Sequence, residues 1–152
     1  MNTVIQLSAA LLGSFGFALL FNSKIKYAVV GALGGLCAWG IYLIADMFFE
    51  RVFFICLFAS FFAALFSEIC AKLFKAPAPV FFITAVIPLI PGSMLYYTIS
   101  SIVISDWSAA SKYAFLTAEY AFAIAIGGSF VWGVRRIIKR IKRQITGEKE
   151  YS

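Results

Sequence analysis

The residues best placed to do chemistry in this chain are two prolines and a glycine. They stand in Ala85-Val86-Ile87-Pro88-Leu89-Ile90-Pro91-Gly92-Ser93, inside a long apolar stretch. Pro91 brings no N–H and its ring clashes with the preceding turn. Gly92 admits backbone angles that other residues avoid. An apolar helix over residues 80–104 is therefore expected to break into 80–89 and roughly 93–104. The second piece would begin with free N–H groups and the positive end of a helix dipole, an arrangement that favours a carboxylate. Ser93 is placed to cap that end or to donate to a ligand, and Tyr96, Tyr97 and Thr98 fall on its first turns. Pro88, Pro91, Gly92, Ser93, Tyr96 and Tyr97 are the candidate substrate contacts. A simple proline kink is the competing reading.

Ionisable groups inside apolar runs come next, because each is costly in lipid. Glu119 lies about two turns beyond Lys112 and has no basic partner within a turn of its own helix. It is a candidate for proton coupling, or for a polar packing contact. Glu68 has Lys72 at i+4 and is expected to pair with it. The chain has no histidine, so Ser–His and Cys–His pairs and histidine metal sites are excluded. It also has no phosphate-binding glycine loop. No enzymatic activity, metal or cofactor is expected. Cys37, Cys56 and Cys70 all sit in apolar runs, where cysteine behaves as a small hydrophobe.

These residues are positioned by a chain that is 62% hydrophobic and 13% charged over 152 residues. Soluble domains are roughly 45–50% apolar, and a mean hydropathy of +0.93 demands a bilayer. The fold class is all-α integral membrane, because lipid leaves no partner for an open strand edge. Five spans are expected, at about 4–21, 27–45, 52–70, 80–104 and 113–134, the fourth being the broken one. Residues 46–51 and 105–112 serve as polar connections. Residues 1–134 then form one transmembrane domain and 135–152 a basic tail. No cleavable leader is expected, since Met1-Asn2-Thr3 lacks a positive segment.

Charge sets the orientation. Lys24, Lys26, Lys72, Lys75 and seven basic residues beyond Val134 fall on one side, against Arg51 and Lys112 on the other. The positive-inside rule places the C-terminus in the cytoplasm and the N-terminus outside. Within the tail, Ile137, Ile138, Ile141 and Ile145 recur at helical spacing among Arg and Lys, as in an amphipathic extension of the last span. A net charge of +6 gathered there suits anionic lipid headgroups, and no nucleic-acid partner is expected.

Small residues in rows bring membrane helices together. Three rows stand out: Gly31 with Gly35; Ala59, Ala63, Ser67 and Ala71; and Thr117, Ala121, Ala125, Ser129 and Gly133. Five spans make a small bundle for a solute path, and many transporters are built from two halves. The chain is expected to be half of an assembly, completed by itself or by another subunit.

The Pro-Gly segment, followed by Tyr96 and by Ile102 to Ser105, resembles the signature of the threonine/serine exporter (ThrE) family. Gly16-Phe17-Ala18-Leu19-Leu20-Phe21-Asn22 and the small-residue run Gly31 to Gly40 are similar too. The order of spans matches the small, YjjB-like subunit, the counterpart of the C-terminal half of full-length members, up to Arg135. The resemblance implies a bacterial inner-membrane exporter of small carboxylate-bearing metabolites, such as threonine, serine or dicarboxylates. It implies an ion gradient as driving force and a larger partner subunit bearing the N-terminal half. It also adds Asn22 to the candidate contacts. Glu119 matches no acid of the family pattern. A non-transporting membrane scaffold is the alternative from a different class, and a channel a weaker one.

Overall fold

The computed structural model describes residues 2–146, and every regular element among them is helical. Helices α1 (Thr3–Leu20), α2 (Ile25–Asp46) and α3 (Val52–Phe74) run up and down in sequence order. Helix α4 (Ala78–Val86) passes through a 3-10 turn, Ile87–Leu89, to α5 (Gly92–Val103), and α6 (Trp107–Thr146) follows. Four helices, α1, α2, α3 and α6, are each long and apolar enough to cross a bilayer, and α4 with α5 passes the same test across a 56° bend. A 56° bend leaves both halves travelling the same way, and α5 then reverses into α6 through a short corner. Counted as one broken span, the pair is the fourth of up to five by length and composition.

Three left-handed residues close helices: Asn22 (φ 53°), Lys75 (φ 50°) and Ser105 (φ 59°). At the first, Asn22 N–H donates to Leu19 O at 2.9 Å and Ser23 N–H to Ala18 O at 3.1 Å. This paired closure satisfies the last carbonyls of α1 and favours glycine or asparagine at the left-handed position. At the third, Asp106 N–H donates to Ser101 O at 2.9 Å. The Asp106 carboxylate then accepts from Ala109 N–H at 3.0 Å, the bond of a helix N-cap. That cap starts α6 at once, so the polar connection expected over 105–112 shrinks to a corner at Ile104–Asp106. Lys112 lies inside the helix.

Close approach of backbones holds the core. A β-carbon on Gly31 would overlap the Thr84 side chain of α4, and one on Gly35 would overlap Ser14 of α1. Ala59, Ala63, Ser67 and Ala71 of α3 are all buried. Helix α6 meets α3 so closely that a β-carbon on Gly127 would lie 2.9 Å from Leu57 O and 3.0 Å from Phe61 N. Ser60 Oγ donates to Ala123 O across the same contact at 3.3 Å.

One packing expectation is narrowed and another is corrected. The row from Thr117 to Gly133 does not face α3: Ala121, Ala125, Ser129 and Gly133 are exposed, while Ala123, Gly127 and Val131 are buried. The two rows are two residues apart, about 200° around a helix. α6 carries small residues on both sides, and the approach at Gly127 decides which side is used. Glu68 pairs with Arg135 of α6, not with Lys72. Glu68 is buried between α3 and α6, whereas Lys72 one turn on is exposed.

α6 continues without interruption past Val134 into the basic segment. Its 40 residues span about 60 Å, roughly twice the hydrocarbon core. The basic extension is thus a helical continuation of the last span, and residues 147–152 of the expected tail lie outside the described residues.

Candidate functional site

Pro91 fixes the geometry at the break. With φ −78° and ψ 57°, it lets Gly92 N–H donate back to Ile90 O at 2.8 Å, a tight three-residue turn. The first bond of α5 follows, Leu95 N–H to Pro91 O at 3.0 Å. Ser93 and Met94 are then left with N–H groups that have no acceptor within the helix. No side chain caps this end, so Ser93 is free of the capping role that its position suggested. Thr98 Oγ1 donates to Met94 O at 2.8 Å and is used within its own helix.

The end of α5 is open. Gly92, Ser93, Tyr96 and Tyr97 are exposed, and a β-carbon on Gly92 would meet nothing within 4 Å. Pro88 belongs elsewhere. It sits in the 3-10 turn against the core, 3.4 Å from where a β-carbon on Gly35 would stand. Ser14 fills the same junction, fully buried, and its hydroxyl has no partner there. Asn22 is remote from both. Ser14 is level with Pro88, and Asn22 lies in the turn beyond Leu20, which is itself six residues or about 9 Å further along α1 towards the basic end. Its left-handed backbone in the α1–α2 turn accounts for its place.

The structure brings Glu119 to the level of the break. Tyr97 meets Tyr113 at 5.3 Å between ring centroids, and α5 runs antiparallel to α6. Gly92, five residues before Tyr97, is therefore level with the turn of α6 that holds Glu119. This acid is half-buried. Beside it the Tyr42 and Tyr120 hydroxyls share a hydrogen bond of 3.0 Å. Tyr42 stacks on Trp39 at 4.6 Å, and Trp39 Nε1 donates to Gln6 Oε1 at 3.4 Å. A polar and aromatic ladder thus crosses α1, α2 and α6 beside the break. Its members Gln6, Trp39, Tyr42 and Tyr120 escaped the sequence reading. The available signal was that a buried tyrosine hydroxyl needs a partner.

Discontinuous helices with open amide ends mark solute sites in many transporters, and that makes the break, with Glu119 beside it, the candidate site. The profile of the family described as "Threonine/Serine exporter, ThrE" matches residues 6–134. The chain belongs to the threonine/serine exporter (ThrE) family. It is a multi-pass membrane protein of exporter type, and the match to the ThrE family takes in the whole of the broken span. The match ends where the basic segment of α6 begins. Neither the curated proteins nor the solved structures hold a significant match to the chain.

Proposed function

We propose that this chain is the small subunit of a secondary exporter, with a solute carboxylate held at the free Ser93 and Met94 amides. The observation that carries this reading is the open wall at the break. Gly92, Ser93, Tyr96 and Tyr97 are exposed, and nothing stands within 4 Å of a β-carbon on Gly92. A solute path through lipid needs walls on all sides, because unpaired backbone in hydrocarbon costs several kcal/mol per group. A larger subunit resembling the N-terminal half of ThrE proteins, or a second copy of this chain, would supply the missing wall. Glu119, level with the amides, is the group proposed to take up a coupling proton. Pro88 supports the site from the core side and shapes the turn. Asn22 acts through the α1–α2 turn, away from the solute.

The substrate class follows from the same end. A half-helix amino terminus favours a carboxylate, which threonine, serine and small dicarboxylates all carry. A bacterial cell membrane, which the family resemblance implies, is the proposed location, and the eleven-to-two distribution of basic residues supports a cytoplasmic C-terminus and an outer N-terminus.

The test is counterflow of radiolabelled threonine, serine and succinate in proteoliposomes containing this chain, its genomic neighbour of similar span number, or both. Flux that needs both proteins, and that collapses when the proton gradient is dissipated, is the expected result. Full flux with the neighbour alone would make this chain a scaffold and its break a packing kink. Flux surviving without any ion gradient would make it a channel.

A further inference from the structure

A groove of about 260 Å³ lies between α3 and α6 at the basic end of the bundle, away from the break. Its walls are Phe61 and Leu65 of α3 and Phe130, Val131, Val134 and Ile138 of α6. Three charged side chains, Glu68, Lys72 and Arg135, gather towards one end of it. Glu68 is buried and ion-paired to Arg135, which is itself half-exposed. The Arg135 guanidinium has five N–H donors, so the ion pair leaves others to turn outward. Lys72 is exposed at the same end. The end is therefore positive despite its carboxylate, and the length of the groove is apolar.

We infer that this groove holds one anionic phospholipid, its phosphate at Lys72 and Arg135 and an acyl chain along the wall between α3 and α6. The dimensions fit. From Phe61 to Lys72 is eleven residues of helix, about 16 Å, which is close to half of the roughly 30 Å hydrocarbon core. Apolar wall and charged end are thus spaced like the tail and headgroup of a lipid in one leaflet. Charge selects among lipids: a headgroup with net negative charge gains from Lys72 and Arg135, and a zwitterionic one gains less. The wall selects against a small polar solute, which would leave its own hydrogen bonds unmet along Phe61, Leu65 and Phe130. Buried Glu68 has its own part in this site. By fixing Arg135 against α3 it orders the guanidinium before the lipid arrives, so less side-chain entropy is lost on binding. The inference rests on the membrane fold alone and is independent of the exporter reading.

The test uses the full chain purified in mild detergent and mixed with equal amounts of phosphatidylglycerol and phosphatidylcholine of the same chain length. Bound lipid is counted by native mass spectrometry. One retained phosphatidylglycerol per chain is expected, with at least a fivefold preference over phosphatidylcholine. Lys72→Gln, which spares the ion pair, should reduce that preference severalfold. Leu65→Trp, which fills the groove, should lose both lipids while the helical circular dichroism stays unchanged. Equal retention of the two lipids by the wild-type chain would overturn the proposal without any variant. So would displacement by millimolar inorganic phosphate alone, which would make the end a phosphate site without a lipid. Undiminished lipid retention in a folded Leu65→Trp chain would place the lipid elsewhere.

Discussion

α4 and α5 are halves of one span, both apolar, yet the protein treats them differently. α4 buries Ala78, Phe81, Thr84, Ala85 and Val86 against α2 and α3. α5, the longer half, buries Ser101 alone. Apolarity does not explain the contrast, because lipid tails are as apolar as leucine and give no reward for hiding it. Surface texture does. α4 lies on a row of glycines that lets backbones approach, and Thr84 fills the space above Gly31. α5 faces no such row; it rests on the first half of α6 through Tyr97 and Tyr113, and turns Leu95, Tyr96, Ile99 and Val103 outward. One half is built into the core, and the other lies open along most of its length.

The most damaging way to test that contrast is to remove a close approach in the core. Gly127→Leu drives a side chain into the backbone of Leu57 and Phe61, and neither can move without shifting α3. Overpacking costs typically about 1–3 kcal/mol where side chains can yield, and here the obstacle is backbone, so more is expected. Gly31→Leu meets a movable Thr84 and should cost somewhat less. Both variants should lose most of their monodisperse yield in size-exclusion chromatography. If Gly127→Leu assembles like wild type, α6 is not seated on α3 as described.

Next in size is the ion pair that ties α3 to α6. Removing Glu68 leaves Arg135 half-exposed and able to find water. Removing Arg135 leaves a buried carboxylate, the more expensive orphan. Arg135→Ala should therefore destabilise the detergent-solubilised chain by about 2–3 kcal/mol, and Glu68→Gln by about 1 kcal/mol or less. The double variant should recover part of the loss of Arg135→Ala. Thermal unfolding followed by circular dichroism reads all three, and an Arg135→Ala chain as stable as wild type would show that the pair contributes nothing.

Much of this contrast was legible in the residues. The break at Pro91-Gly92 follows from covalent facts: one residue has no N–H, and the next has no side chain. The all-helical spans and the basic end follow from hydropathy and charge. What failed was local choice among equals. α6 offers small residues on two faces, and only the approach at Gly127 decides between them. Glu68 has a lysine at i+4 and an arginine far off in sequence, and the fold supplies the second. The corner at Ser105 was invisible because a left-handed serine carries no strong signal, unlike a left-handed glycine. Ser14, Trp39, Tyr42 and Tyr120 passed as ordinary span residues, since their partners lie on other helices.

A smaller effect probes the ladder beside the open half. Tyr42→Phe and Tyr120→Phe each remove one hydroxyl from a bond of 3.0 Å. A neutral hydrogen bond is worth about 0.5–1.5 kcal/mol net. Each variant should lose about that much, and the double variant little more than either single one, because the two share the same bond. Full additivity in thermal unfolding would show that the hydroxyls act separately.

The smallest effect on stability is expected at Gly92, and that smallness makes the position the sharpest probe of the contrast. A β-carbon there touches nothing within 4 Å, and the residue needs no left-handed backbone. Gly92→Ala and Gly92→Leu should each change the stability of the isolated chain by no more than about 0.5 kcal/mol, like other exposed substitutions. If the open half is completed by a second wall with a solute between, the leucine side chain projects into that space. Export by the assembled system should then fall at least tenfold in Gly92→Leu, with Gly92→Ala in between. Loss of export without loss of fold locates the obstacle outside this chain, since nothing inside it is close enough to be struck. Wild-type export in Gly92→Leu would mean that α5 faces only lipid.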